Sequence, residues 1–506
     1  MIRRPPRSTL DRSSAASDVY KRQQQPLIGE RNLPIASRVK KRGYCGSDLR
    51  LLRLNCRPMK STFIPGSSQD QCVTFSIRCR LTSISQIWLP VGMSPPIPEF
   101  YFSEKYVMQI DRKKFTEEGY NILSNVVPPN QLESLRHNIE HMVNQRKEVS
   151  AQQRTPHEPE GGSWQASAQP RLQFDADCDT SSSAAIEFLL HENTLGVSKR
   201  LIKAKHVVPH QFSCLCSGSY DAGPMRWHRD IGPGEPAPLR GMISNMEHHG
   251  PSYLQWNIAL YDDNVLWVVP GSHRQTNTDQ VNHQLAEDPS VPLPGSIPVE
   301  LKAGDGVVYT HLLLHWGSYY SSKMRRTLHP GYRPFGFAAM PNVHWRHWKP
   351  GFYHYLPDMV RQQFETWDQI FFAELDLVAE ILHAITDNNR TQFLAAFEQL
   401  HPSPYDCMVS IIMLSKLAAK LYKHKYSNDN PSALWGNGRD LVYLAGHFND
   451  QQTEILWQRF HELDQRLKPS SAEHYPGFQK TSDYNAIDMP PNFEMDDFID
   501  INKLRN

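Results

Sequence analysis

The sequence is poor in what would place it in a membrane or cross-link it covalently. No apolar run reaches the roughly eighteen residues of a membrane span. The best candidate, Met408 to Leu421, is interrupted by Lys416 and Lys420 and reads as a buried helix. The basic first residues are followed by no apolar stretch, so no signal peptide is expected. An excess of one charge is also missing. The 54 lysines and arginines stand against 53 aspartates and glutamates, which leaves no global field to favour nucleic acid or an anionic membrane. None of the eight cysteines forms a C-x-x-C pair, which argues against a disulfide framework and a structural zinc site. A reducing, cytoplasmic setting is therefore expected. The final residues, Lys503-Leu504-Arg505-Asn506, are not a Ser-Lys-Leu-type address, and a peroxisomal location stays open. There is no internal repeat at solenoid spacing.

What the chain does have is length and aromatic bulk. Its 506 residues suffice for a large domain with additions, and 11 Trp, 20 Tyr and 21 Phe supply core material. Residues 1–103 look foreign to the rest. Met1 to Gln23 resembles a translated sequencing-adaptor peptide, and the basic, proline-bearing stretch after it lacks sustained periodicity, as a disordered leader would. Residues 104–345 read as a catalytic domain, 346–468 as a helical region, and 469–506 as an acidic flexible tail carrying Glu494, Asp496, Asp497 and Asp500.

Local patterns fill in this outline. Residues 106–110 suit a short strand, and Pro128-Pro129-Asn130 sets up a helix start. Leu132, Leu135, Ile139 and Met142 then follow at steps of three, four and three, one apolar helical stripe. The stretch 152–169 is polar and Gly/Pro-marked, a loop; Ser181-Ser182-Ser183 can cap a second helix through Leu190. From His206 the texture becomes short β-like runs between Gly/Pro turns: 206–216, 252–261, 265–269, 306–315 and 327–337. The fold class expected is a mainly β core, a jelly-roll barrel, with α additions. Past Pro350, Val360, Phe364, Trp367, Phe371, Leu375, Val378, Leu382 and Ile385 keep steps of three and four, and further helices are expected over 389–400, 407–423 and 453–467.

The chemistry concentrates between Trp227 and Arg326. In His228-x-Asp230 an extended backbone puts both side chains on one face and Arg229 on the other. Alone this is weak, since a chain with 23 histidines should show roughly one H-x-D by chance. His228-Arg229-Asp230 also spells the kinase catalytic-loop tripeptide. That reading fails, because Glu235 stands where a kinase needs Asn and no Asp-Phe-Gly or Gly-rich loop accompanies it. His315 ends the apolar run from Val307 to Leu314 and would complete two imidazoles and a carboxylate. His311 has the same strand parity and is the rival ligand; Gly317-Ser318 and the nearby arginines favour His315. Such a triad leaves half the coordination sphere of Fe(II) open to co-substrate and oxygen. Arg325 and Arg326 follow on the next strand, where a guanidinium can grip the far carboxylate of a 2-oxo diacid. Period two lets only one of them face inward.

On these residues the chain resembles the phytanoyl-CoA dioxygenase (PhyH) family of Fe(II)/2-oxoglutarate oxygenases. The resemblance covers roughly Phe115 to Phe337. It rests on Phe115-x-x-x-Gly119-Tyr120, Trp227-His228-x-Asp230, Gln255 before Ile258-Ala259-Leu260, Val268-Val269-Pro270-Gly271-Ser272-His273-Arg274, Gly304-Asp305, and His315 with Arg325-Arg326. It implies a double-stranded β-helix (jelly-roll, cupin-like) flanked by helices, with Fe(II) on His228, Asp230 and His315. It also implies 2-oxoglutarate as co-substrate on Arg325 or Arg326, Arg325 slightly ahead, with Gln255 nearby, O₂ as oxidant and ascorbate as reductant. His273 would not be a ligand; its turn is structural.

The expected activity is hydroxylation of a small-molecule or acyl-type substrate with release of succinate and CO₂. Asp230 fills the place a halide would need, which favours hydroxylation over halogenation. Two other readings compete: a non-catalytic scaffold that keeps the fold, and a cupin-like metal protein that uses no 2-oxo acid and so needs neither arginine. Trp227, Trp256 and Trp267 read either as pocket lining or as core, core being the commoner use.

Overall fold

The computed structural model describes residues 108–202, 204, 206–230, 243, 246–248, 250–334, 352–400, 408–426 and 438–466, all within the unit Ile97–Asn506. The expected leader and acidic tail lie outside the described residues, as do the ends of several expected elements.

Two pieces of local chemistry open the domain. Helix α1 (Arg112–Glu118) starts where the Asp111 carboxylate accepts the Lys114 N–H and ends at Gly119, whose φ of 87° only glycine adopts easily. Helix α2 (Pro129–Gln152) has proline in its first turn, where a missing N–H costs no helical bond. Leu135, Ile139 and Met142 of the expected stripe are buried on it, and Leu132 is partly so. The expected strand over 106–110 is not formed at 108–110, and the stretch after α2 includes one helical turn at Gly162–Ala166. Helix α3 (Ser183–Phe188) is capped by Asp179 rather than by the serine run. Asp179 Oδ1 accepts the Ser182 N–H at 2.9 Å.

The strands are β1 (Tyr120–Leu123), β2 (Arg171–Gln173), β3 (Val207–Cys216), β4 (Gly223–Pro224), β5 (Leu254–Ala259), β6 (Trp267–Val268), β7 (Ile297–Pro298), β8 (Gly306–Thr310), β9 (His315–Trp316), β10 (Ser318–Tyr319) and β11 (Arg326–Pro334). Helix α4 (Asp279–Glu287) lies between β6 and β7. Six strands form one antiparallel sheet in the order β1-β8-β5-β11-β3-β2, β7-β6-β9 form a second, and β4 pairs with β10. The expected run 306–315 breaks after Thr310, because the Leu313 N–H closes a turn onto the Thr310 carbonyl at 3.0 Å. His311 and His315 therefore do not share one strand, and their common parity does not hold.

Alternation assigns each face of the large sheet. Leu254, Trp256, Ile258, Val308, Leu328 and Tyr332 join the cluster that also contains the buried residues of α2 and α3. The opposite face carries Gln255, Asn257, Ala259, Val307, Tyr309, Thr327 and His329. At one end Ala259, Val307 and Tyr309 meet Val268 of the second sheet in a separate cluster. Full burial of such side chains contributes about 1.5–3 kcal/mol each.

The helical region follows as expected: α5 (Asp358–Thr386), α6 (Arg390–Leu400), α7 (Met408–Tyr426), α8 (Gly438–Ala445) and α9 (Asp450–Arg466). All eight stripe positions of α5 are buried, and they share one hydrophobic cluster with the helix-side face of the sheet. Asn388 turns the chain between α5 and α6 with φ of 56°, and Asn389 caps α6 by accepting the Gln392 N–H at 3.1 Å. Helix α8 was not evident in the sequence pattern.

Candidate metal centre

His228 and His315 are brought together by backbone. Each donates its N–H to the other's carbonyl at 3.0 Å, and Asp230 N–H bonds to the His311 carbonyl at 2.9 Å. On its other side His315 pairs with Val268 of β6. The three side chains converge: one ligand atom from each of His228, Asp230 and His315 lies within 4.8 Å of the others. His228 Nε2 is 3.4 Å from Asp230 Oδ1, and His315 Nε2 is 3.2 Å from Oδ2. His311 is outside this group.

Both imidazoles are fixed from behind. His228 Nδ1 lies 2.8 Å from the Arg226 carbonyl, and His315 Nδ1 lies 2.8 Å from the Leu313 carbonyl. A carbonyl only accepts, so Nδ1 carries the proton and, in the neutral ring, Nε2 points its lone pair at the centre. Burial pushes the Asp230 carboxyl up, but the two imidazoles outweigh this and hold it well below the usual range. Burial likewise lowers His228, and the Asp230 carboxylate reverses the sign, raising it overall. The cluster is a pocket of mutually stabilised charge, suited to a cation.

Arg229 points away as the strand period requires, yet it is fully buried. It donates to the carbonyls of Leu312 (2.9 Å), Ser272 (2.9 Å) and Gln275 (3.2 Å) and to Asn277 Oδ1 (2.6 Å). Burial lowers its pKa to about 9, which keeps it charged at neutral pH. Ser272 Oγ in turn accepts the Leu314 N–H at 2.8 Å, one residue before His315. The Pro-Gly-Ser-His turn is thus fastened to both ligand segments. His273 faces elsewhere: its Nε2 lies 3.1 Å from the Thr116 carbonyl, and its ring covers Gly119, where an added Cβ would come within 2.5 Å of Nδ1. Gly271 N–H bonds to the Glu118 carbonyl at 3.0 Å. Two motifs far apart in sequence are one joint.

Gln255 Nε2 donates to Asp230 Oδ2 at 2.6 Å, so it steadies the carboxylate. Tyr309, opposite Gln255 on β8, packs edge-on to His315 at 5.2 Å. The two arginines serve opposite faces. Arg326 Nε is 2.8 Å from Glu140 Oε1 and its Nη2 donates to Oε2 at 3.1 Å, which ties β11 to α2. Arg325 shares its face with Thr327; its Nε donates to Asp263 Oδ2 at 2.9 Å, and the Thr327 hydroxyl reaches the same oxygen at 2.6 Å. Arg325 Nη1 is buried with no hydrogen-bond partner among the described residues. A planar cation with one edge held and the other unmatched suits an incoming carboxylate.

The tryptophans are core, not lining. Trp227 stacks on Trp316 at 4.6 Å among Leu285, Leu293 and Leu314, and Trp256 joins the helix-side cluster with Nε1 donating to Ser198 Oγ at 3.1 Å. Trp267 packs against the first of these groups, edge-on to Trp316 at 6.2 Å. Sequence reasoning missed Asp263, Thr327 and Glu140. Thr327 was accessible through its shared parity with Arg325, and Asp263 through the acidic pair it forms with Asp262.

The residues present fit a non-haem iron site with a 2-oxo acid: two imidazole nitrogens, one carboxylate and one buried, unmatched guanidinium edge. Residues 115–327 match the family model for phytanoyl-CoA dioxygenase (PhyH). No curated protein matches the chain. Among solved structures, AviO1 from Streptomyces viridochromogenes Tue57 is similar at 20% identity over 44% of this chain and 92% of its own, with a TM-score of 0.32. HygX from Streptomyces hygroscopicus, solved with nickel and 2-oxoglutarate bound, is similar at 17% identity over 45% of this chain and 88% of its own, TM-score 0.33. EctD from S. alaskensis, solved with 2-oxoglutarate and 5-hydroxyectoine, is similar at 14% identity over 53% and 91%, TM-score 0.35. Residues 115–327, which carry His228, Asp230, His315, Gln255, Arg325 and Arg326, are a domain of the phytanoyl-CoA dioxygenase family, and the chain is an oxygenase of the Fe(II)/2-oxoglutarate class.

Proposed function

We propose that the chain hydroxylates a small-molecule or acyl-type substrate, with His228, Asp230 and His315 holding Fe(II) and Arg325 holding the far carboxylate of 2-oxoglutarate. The observation that carries this reading is the convergence of three ligand atoms within 4.8 Å. When bound, the iron and 2-oxoglutarate supply the oxidising chemistry toward O₂, with succinate and CO₂ as co-products. The protein's part is geometry. The Arg226 and Leu313 carbonyls aim the two imidazoles, Gln255 fixes the carboxylate, and Asp263 with Thr327 turns Arg325 so that Nη1 stays available. Asp230 fills the position a halide would take, which supports hydroxylation. Arg326, engaged by Glu140, serves the helix layer in this proposal. We read the two facing sheets as the halves of a double-stranded β-helix and residues 104–345 as its domain.

The scaffold alternative predicts no metal affinity. Anaerobic Fe(II) titration with 2-oxoglutarate, followed by succinate release with ascorbate present, separates the two. The oxygenase reading expects one iron per chain and turnover that Asp230→Ala abolishes. Absence of binding, or Asp230→Ala turning over as the parent does, would favour the scaffold.

A further inference from the structure

The metal-facing side of the large sheet ends in polar side chains that neither the metal nor 2-oxoglutarate employs. Leu172 on β2 belongs to the helix-side cluster, so Arg171 beside it faces the other way. The register agrees: Arg171 stands opposite Leu215, and Leu215 opposite Thr327. Arg171 is half-buried, its Nη2 donates to the neutral Gln169 Oε1 at 3.1 Å, and its charge acts on both His228 and His329. His329 shares the face of Thr327 and remains partly open. Its Nδ1 lies 2.7 Å from the Trp256 carbonyl and 2.8 Å from Asn257 Oδ1, both acceptors, which leaves the Nε2 lone pair for a donor. His311 adds a buried imidazole whose Nδ1 has no hydrogen-bond partner among the described residues. A wall facing a hydrocarbon chain would leave these groups stripped of water without replacement.

We propose that the substrate carries an anionic group, a carboxylate or a phosphate, that docks on Arg171 beside the metal, with a hydroxyl or amine on the same molecule donating to His329 Nε2. This rests on the oxygenase reading and narrows it to a small polar anion rather than a long acyl chain. A guanidinium fits either anion through paired N–H donors.

Calorimetric titration of the full chain loaded with Mn(II) and N-oxalylglycine tests the subsite without turnover. The probes are glycerol 3-phosphate, 4-hydroxybutyrate and, as the uncharged counterpart, 1,4-butanediol. At least one anion should bind, the tighter arm identifying phosphate or carboxylate, and butanediol should not. Arg171→Gln should weaken the anion roughly tenfold, the scale of one charge-assisted hydrogen bond, with Mn(II) affinity kept within about twofold. Butanediol binding as tightly as the anions, or anion binding unchanged in Arg171→Gln, would overturn the proposal. So would binding of neither anion by protein that does take Mn(II) and N-oxalylglycine. If the parent chain binds neither of those two, the oxygenase reading itself fails and the subsite goes with it.

Discussion

His228 and His315 face each other as a hydrogen-bonded backbone pair, each N–H on the other's carbonyl at 3.0 Å, with their rings 4.5 Å apart. The distance between the two proposed ligands is therefore set by main-chain geometry before any cation arrives. What the side chains add is aim, through the Arg226 and Leu313 carbonyls. Pre-organisation of this kind makes the groups around the ligands separately testable.

Gln255→Leu removes the donor to Asp230 Oδ2 and little else, since the position is buried on the inner face of β5. Metal affinity should fall by about 10- to 100-fold, the usual effect of losing a partner of a ligand. Mn(II) titration measures it, and a circular dichroism spectrum equal to the parent's should accompany the loss.

The adjacent arginines should separate cleanly. Arg325→Gln should raise the 2-oxoglutarate half-saturation by roughly ten- to a hundredfold, as loss of one charge-assisted pair does. Arg326→Gln should leave that value nearly unchanged but cost about 1–3 kcal/mol of stability, because it strands Glu140 on α2. Succinate-release kinetics and thermal unfolding of both variants read out the contrast.

Gly119→Ala should destabilise far more than Gly223→Ala. Both glycines have positive φ, 87° and 72°, so both variants carry a left-handed penalty of about 1–2 kcal/mol. Only at Gly119 does the new Cβ strike the His273 ring; at Gly223 nothing lies within 4 Å. The difference between their urea midpoints isolates the joint between the two motifs.

Burial lowers the His273 pKa to about 4, against roughly 6.5 in an unfolded chain. The folded state therefore binds this proton less readily than the unfolded one. Its contribution is complete above about pH 6.5 and is lost as pH falls toward 4. His273→Gln, which keeps a donor for Thr116 but cannot titrate, should flatten the acid limb of a stability–pH curve by up to about 1.4 kcal/mol per pH unit. His311 and His329, also lowered to about 4 by burial, act in the same direction and remain in the variant.

Much of this site was legible because its periodicities are local. The H-x-D spacing places two ligands on one face, the eight-residue stripe of α5 marks its buried side, and Pro-Gly-Ser-His announces its turn. The rest depends on contacts between distant segments, which no spacing encodes. Gln255 meeting Asp230, Arg229 closing on Ser272 and Gln275, and Glu140 claiming Arg326 each join residues dozens to hundreds apart. The strand misread over 306–315 has a simpler cause. Its apolar letters continue through Leu314, but the turn at Thr310 is a backbone event that hydrophobicity does not register.

Ser272 offers one carbonyl to Arg229 and one hydroxyl to the Leu314 amide. A single small residue outside the coordination sphere thereby couples the two walls that present imidazoles. Loosening it would let both rings drift together, so a lesion there should resemble general softening of the centre more than the loss of any one ligand.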